Sequence, residues 1–492
     1  MPVFRLPALA LPLALLAACA AAAPAQAFEL GFNDESALVS YAGKFGKTPD
    51  LTSLDAVATH EREAGATTQR ILIAWAEVAA GSSAPQPQTA AADPAWPGYN
   101  WAAADRSIRA AVAHGLRPLV WFHSAPSWAE PSNHPSTSNG YRAGTWRPNA
   151  KLFKQFTIAV AKRYNGSYPD PDNPGQALPR VSVFQPWNEP NLYVEITPQW
   201  TKQGGKTVPA SPAIYRRLQN AGYEGIKSVQ PDATVLAAGT APFGGLSSAD
   251  PRIPPALFWR ELLCVTTKRG KLVANPKCAK LKFDGLAHHT YPIGPPTRTA
   301  RNADDVVVPD MGKLKSILAA GRRAKLLTSK VERNLWVTEM SWETAPDPGG
   351  LSLDDYALYM QGAFYTLWKA GVQHVLWWNS RDDAKGSSWE ASLQSGIYYR
   401  GATPAQDTRK PVWQAFHFPF AAYRVGGVAA LWAKPPGTGE VTVQASKNGA
   451  WVDVAKLKLR ADGVVSGRLR VNPGVQLRAV QGSEISLTWK TF

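Results

Sequence analysis

Eight short apolar runs rich in Val, Ile, Trp and Phe alternate along this chain with longer amphipathic stretches. The runs are Phe28-Asn33, Thr68-Trp75, Arg117-His123, Val181-Trp187, Thr234-Gly239, Phe283-His289, Leu335-Glu339 and His374-Trp378. Their apolar positions are continuous rather than alternating, the pattern of strands buried on both faces in a parallel sheet covered by helices. Helical patterns lie between them. In Asn149 to Tyr164, residues Leu152, Phe153, Phe156 and Val160 share one face, and Gly166 follows the end. Asn100 to His114 closes on Gly115, and Leu353 to Ala370 on Gly371, each a glycine just past the last turn. Eight such cycles predict an α/β fold, a (β/α)8 TIM barrel. With 45% hydrophobic and 18% charged positions over 492 residues, the chain carries enough apolar surface for a large core and is not a disordered one.

Both ends differ in texture from the barrel. Residues 1–27 read as a signal peptide: Arg5 is the positive head, Leu6 to Ala18 the apolar stretch, and Ala25-Gln26-Ala27 a small-residue cleavage site before Phe28. A lipid anchor through Cys19 is the alternative, because Leu16-Ala17-Ala18-Cys19 resembles a lipobox. Later apolar runs fall short of the roughly 18 residues of a membrane helix. Export leaves Cys264 and Cys278 as a pair in an oxidising compartment, where a disulfide is expected. Two thiols alone make a poor zinc site. Beyond the barrel, assigned to residues 28–424, the segments Val441-Gln444, Trp451-Val454, Gly467-Val471 and Gln476-Val480 alternate with period two between glycine-containing turns. Residues 425–492 are therefore expected to form a small antiparallel β-sandwich packed on the barrel, with Trp432 and Trp451 as its candidate exposed aromatics.

Long irregular segments follow six of the strands: Ala76-Tyr99, Ala129-Pro148, Leu192-Ser211, Ala241-Pro255, Pro292-Pro309 and Arg381-Arg409. In a barrel these loops build the active face. Asn165-Arg180 and Val265-Lys282 precede strands and belong to the opposite face, as does the cysteine pair. The formal charge of +16 is spread in small groups such as Lys268-Arg269 and Arg322-Arg323. Nucleic-acid binders cluster their basic residues, so anionic glycans or a cell wall are the better polyanionic neighbours.

Two motifs carry chemistry. Trp187-Asn188-Glu189-Pro190-Asn191 ends the fourth run, and Trp336-Val337-Thr338-Glu339 ends the seventh. Carboxylates at the C-terminal ends of separated strands converge on the barrel mouth. Glycoside hydrolysis needs such a pair, one to protonate the leaving oxygen and one to attack or to activate water.

These residues resemble glycoside hydrolase clan A, the retaining (β/α)8 glycosidases, and are most similar to its families 5 and 39. The resemblance covers residues 28 to 420, with the matched positions in strand order. It implies that Glu189 is the acid/base and Glu339 the nucleophile. Asn188 would donate to the sugar 2-hydroxyl, Arg70 would hold the nucleophile ionised, and Tyr291 in His289-Thr290-Tyr291 would hydrogen-bond it. His123 matches the histidine after the third strand, and Trp378 the tryptophan after the eighth, with Trp377 as its rival. It implies no metal or organic cofactor, an oligo- or polysaccharide as partner, and a monomer.

Competing readings remain at several positions. Glu343, four residues past Glu339, is the rival nucleophile. His288 and His289 are adjacent on a strand and point to opposite faces, so they do not share an ion and one packs behind the wall. Trp75, Trp121 and Trp187 read as core; Trp128, Trp146 and Trp342 lie in loops and read as mouth residues. The charge of Glu339 is expected to raise the Glu189 pKa, at a carboxyl separation of about 5–5.5 Å. The alternatives are a non-catalytic carbohydrate-binding protein on the same barrel and a metal-dependent deacetylase, which lacks a His/Asp ligand cluster.

Overall fold

The computed structural model describes residues 27–34, 51–136, 142–245, 250–327 and 334–491. The expected leader over residues 1–27, but for its last residue, and Cys19 lie outside them. The core is a closed, all-parallel barrel of eight strands. In chain order they are β1 (Glu29–Asn33), β2 (Thr68–Ala74), β3 (Arg117–His123), β4 (Val183–Gln185), β5 (Thr234–Thr240), β6 (Gly285–His289), β7 (Leu335–Glu339) and β8 (His374–Trp377). β1 closes the ring by pairing with both β2 and β8.

The fourth strand is shorter than the run Val181-Trp187 that announces it. Pro186 offers no N–H to the ladder, and Trp187 turns into the left-handed region at φ 73°. Leu119, Trp121, Val183, Leu236, Ala287, Trp336 and Leu376 pack inside the barrel, as expected where alternate side chains of each strand point inward. The helix Ala150–Arg163 starts at Asn149, whose side chain accepts from the backbone N–H groups of Lys151 and Leu152. It packs against Ser211–Val229 so closely that a Cβ on Gly225 would lie 2.2 Å from the Thr157 hydroxyl oxygen. Only glycine permits that approach, and these two helices flank β4. Among the described residues no helix is long and apolar enough to cross a membrane.

Cys264 and Cys278 form a disulfide with Cα atoms 5.9 Å apart. It brackets the hairpin Val265–Lys268/Lys271–Ala274, which leads into β6 and so lies at the strand-start end of the barrel.

After the barrel come two antiparallel sheets. One contains Phe420–Val425, Val428–Ala433 and Val465–Arg470; the other is built around Val441–Lys447, Ala450–Leu457 and Gln476–Gln481. The first of these strands starts at Phe420, ahead of residue 425, because Gly426-Gly427 makes a two-residue hairpin turn that pairs Phe420–Val425 with Val428–Ala433 along its whole length. Trp432, expected at the surface, is fully buried. Its ring meets Phe28 edge-on at 5.7 Å and lies 6.2 Å from both Tyr365 and Trp368 of the barrel helix Leu353–Lys369. Trp451 is half-buried beneath the guanidinium of Arg478.

Candidate active site

Glu189 sits four residues past β4 on a backbone that the surrounding groups hold in unusual conformations. Trp187 has φ 73° and Glu189 φ 34°, both in the region that side-chain-bearing residues rarely adopt. Each such residue costs about 1–3 kcal/mol and persists only where neighbours over-determine it. Here the Gln185 amide donates to the Trp187 carbonyl at 3.1 Å, and the Glu189 N–H donates to the Gly239 carbonyl at 3.1 Å. Gly239 is itself at φ 55°, and a Cβ there would fall 2.5 Å from the Gln185 amide nitrogen. The glycine is thus required behind the site.

Glu339 closes β7, its side chain almost wholly buried. Its Oε1 accepts from Arg70 Nη1 at 2.5 Å and its Oε2 from the Tyr291 hydroxyl at 2.9 Å. The other guanidinium nitrogen of Arg70 donates to Asn188 Oδ1 at 2.8 Å. Arg70 lies within β2, points into the barrel and stacks over the Trp121 ring at 4.3 Å. His289 is sealed from solvent, with Nδ1 2.8 Å from Glu189 Oε1 and Nε2 3.1 Å from the Thr338 hydroxyl. One oxygen of each carboxylate and a ring nitrogen of His289 all lie within 4.8 Å of one another.

The two carboxyl groups have opposite environments. Glu339 receives a full positive charge and a phenol hydrogen, both of which favour its anion. Glu189 is pushed up to about 8 by burial, then by the negative charge of Glu195, against the opposing pull of Arg70. This corrects the expected source: Arg70 compensates Glu339, and burial with Glu195 holds the proton on Glu189. Burial takes His289 down to about 3, against the opposing pull of Glu339, so the imidazole is neutral. With Nδ1 against Glu189 and Nε2 against Thr338, a neutral ring and a protonated carboxyl can share one hydrogen without a buried ion pair. Tyr291 is held well above the ordinary phenol range by burial and by the charges of Glu339 and Glu189.

Glu189, His289 and Glu339 are close enough to bracket a cation. The donor set does not suit one, because both oxygens of Glu339 are engaged and the guanidinium adds positive charge at the same place.

Other positions resolve as follows. Trp378 is half-buried with its ring 5.9 Å from Tyr291, whereas Trp377 is buried against Tyr356 and Phe364 on the helix side. His123 sits beside the site without touching either carboxylate of the pair. Its Nδ1 is 3.1 Å from the Ser124 hydroxyl and 3.6 Å from Glu195. Glu343 accepts from the Gln394 backbone N–H and stays in its loop. His288 bonds Thr240 and the Val306 carbonyl behind the wall. Trp342, expected at the mouth, is buried against Tyr359 and Trp377 because its indole N–H is drawn to the Gly294 carbonyl. Trp128 and Trp146 are half-buried, Trp128 against Trp75 and Trp96 and Trp146 under Arg147. Sequence reasoning missed Gln185, Gly239, Thr338 and Glu195. In the sequence Glu195 is one more charge in the loop after β4, and the other three carry no local mark of their contacts.

No protein-family model matches the sequence, and no curated protein matches it. Solved structures do. A family 39 glycoside hydrolase from the gut symbiont Bacteroides cellulosilyticus WH2 superposes with a TM-score of 0.51 at 17% identity, over 93% of this chain and 81% of that one. The GH39 enzyme from Xanthomonas axonopodis pv. citri gives 0.50 at 14% identity, over 96% and 95%. This chain has the fold of those glycoside hydrolases. At such identities the likeness is one of architecture, and a barrel of this kind hosts many chemistries, so the reaction is argued from the site.

Proposed function

We propose that this protein is an exported, monomeric retaining glycoside hydrolase that cleaves O-glycosidic bonds of an oligo- or polysaccharide by double displacement. Glu189 is the acid/base and Glu339 the nucleophile. The observation that carries this reading is a pair of carboxyl groups with oxygens within 4.8 Å, one compensated by Arg70 and one kept protonated. Retaining pairs stand about 5–5.5 Å apart, while inverting pairs leave about 6.5–9.5 Å for a water between them.

In the first step the Glu339 carboxylate attacks the anomeric carbon while Glu189 gives its proton to the departing oxygen. That leaves a glycosyl ester on Glu339 and an anionic Glu189. Glu189 then takes a proton from water as the water displaces the ester, which returns both groups to their starting states. Because Asn188 Oδ1 is taken by Arg70, its amide N–H groups are left to donate to the sugar 2-hydroxyl. Trp378 and Tyr291 supply the adjoining wall. The disulfide suits export to an oxidising compartment.

The test is a screen of aryl β-glycosides and polysaccharides with the purified protein, run beside Glu189→Gln and Glu339→Gln, with the anomeric configuration of the first product followed by NMR. Turnover confined to the parent, with retention, supports the reading. Inversion, or equal turnover by either variant, rules it out.

A further inference from the structure

Two basic pairs that stand far apart in the sequence, Lys268-Arg269 and Arg322-Arg323, are drawn to one end of the barrel by the fold. The hairpin Val265–Lys268/Lys271–Ala274, bracketed by the disulfide, carries Lys268, Arg269 and Lys271 at its tip, and the segment that leads on to β6 adds Lys277 and Lys280. No acidic residue lies between Glu261 and Asp284. The helix Met311–Arg323 packs against the hairpin, with Arg323 Nη2 donating to the Leu272 carbonyl at 3.2 Å and the Leu281 N–H donating to the Leu326 carbonyl at 3.1 Å. Between Asp310 and Lys325 the chain again has no acidic residue, so this helix end adds to the same charge. A second helix, Ser211–Val229, brings the Arg216 guanidinium to 3.6 Å from Cys278 Sγ.

Lys268, Arg269, Lys271, Lys277 and Lys280 are exposed, and among the described residues none of them is paired with a carboxylate. Exposed cations elsewhere do find partners: Arg180 with Asp232 at 2.7 Å, Arg252 with Asp250 at 2.8 Å and Arg409 with Glu63 at 2.9 Å. Glu261, at the end of the helix Pro255–Leu262, is the acidic neighbour, and there the Arg216 guanidinium meets its backbone carbonyl. Like charges held close together repel, and an anionic partner relieves that repulsion. We propose that this end of the barrel is a docking surface for a linear acidic polysaccharide outside the cell, one that bears carboxylates along its length.

The chemistry of the hairpin selects that partner. Lysine ammonium groups on an exposed turn are mobile point charges, suited to a chain of repeating anions. A membrane surface would call for an apolar face beside the basic one. Val273, at 42% exposure, is the one large apolar side chain that the hairpin exposes, and the tip itself reads Thr267-Lys268-Arg269-Gly270-Lys271. The choice of a glycan over a nucleic acid rests on the reading of the protein as exported. Because the hairpin lies at the strand-start end, a polymer held there leaves the barrel mouth around Glu189 and Glu339 open to substrate.

The experiment measures binding of the purified protein to immobilised polygalacturonate, an acidic polysaccharide, beside dextran, a neutral one. The parent should bind polygalacturonate at about 20 mM salt, release it by about 500 mM, and bind dextran far more weakly. Lys268→Glu, Arg269→Glu and Lys271→Glu together should weaken binding about tenfold or more. Lys447→Glu, Lys458→Glu and Lys490→Glu, at exposed positions of the C-terminal region, remove the same net charge and should leave most of the affinity. If the hairpin variant does not fold, the three corresponding glutamine substitutions serve, with a smaller loss expected. Equal losses in the two sets, no loss in the hairpin set, or equal binding to dextran overturns the proposal. Tighter binding to phosphatidylglycerol vesicles or to duplex DNA assigns another occupant and overturns it too. Docking needs no turnover. A protein that docks but cleaves no glycoside fails the glycosidase reading and keeps this inference, while an active protein that does not dock fails this inference alone.

Discussion

Arg70 and Glu339 form an ion pair at 2.5 Å, with side chains 0% and 4% exposed. The pair is held from outside as well as from within, because the second guanidinium nitrogen also orients Asn188. Arg70→Met should leave the carboxylate buried and uncompensated. We expect a loss of about 3–5 kcal/mol in unfolding free energy, read by denaturant titration. Arg70→Lys keeps the charge and loses the fork. It should fold better than Arg70→Met while kcat/KM drops about 100-fold, since one ammonium cannot serve both partners in the same geometry.

Glu339→Gly should abolish hydrolysis of ordinary glycosides. Azide or formate with an activated aryl glycoside should restore turnover from the vacated position and give a product of inverted configuration, read by NMR. Glu343→Ala should retain near-parental activity, because its carboxylate is turned to the Gln394 N–H. Rescue confined to Glu343→Ala would move the nucleophile there.

The raised pKa of Glu189 makes a stability prediction with a definite sign. Its ordinary value is 4.5 and its folded value about 8. Between these pH values the folded state holds a proton that the unfolded state has released, so stability falls as pH rises through the window. Glu189→Gln removes the titration. Its melting temperature should gain on that of the parent from pH 5 to pH 8, by about 1 °C for each kcal/mol relieved in a chain of this length. The parent kcat/KM should decline on a basic limb near pH 8. A stability difference that is flat in pH refutes the assignment.

The architecture was legible because continuous apolar runs repeat eight times, with three of the helical stretches between them closed by a glycine, and burial on both faces of a strand writes itself into composition. The convergence of the carboxylate pair was legible because strand ends fix where side chains meet, whereas Arg70, inside β2, was pointed to only by the family resemblance. What stayed hidden depends on tertiary contact. Gly239 reads as an ordinary strand residue until the Gln185 amide fills the space its Cβ would need. Glu195 reads as a solvated loop charge until Gln199 folds the loop over. Trp432 and Trp342 were misplaced because an aromatic in a strand or loop carries no mark of whether a neighbouring helix covers it.

Opening the Cys264–Cys278 bond should cost about 3 kcal/mol of stability and leave kcat/KM unchanged, since the bridged hairpin is at the barrel end away from Glu189. Comparison of thermal melts and kinetics for the parent and a Cys264→Ser, Cys278→Ser double variant checks both halves.

Trp432→Ala should destabilise by about 3–5 kcal/mol, because the ring is fully buried between Phe28 and the helix Leu353–Lys369. Truncation after residue 424 cuts the strand Phe420–Val425 and bares that helix face, and should yield insoluble or weakened protein. A truncated barrel that melts with the parent would show the sheets to be dispensable.

The first strand of the barrel is anchored to the far end of the chain twice over. Glu29 to Phe32 pair with His374 to Trp377, and the Phe28 N–H donates to the Asp462 carbonyl at 2.8 Å. A ribosome or an export channel delivers residue 28 long before either partner exists outside it. The ring therefore stays open through most of synthesis, with the free edges of β1 and of the latest strand exposed, and such long-range closure is slow and prone to aggregation. Closure of the ring in this protein should therefore be a late event that waits until the chain is whole.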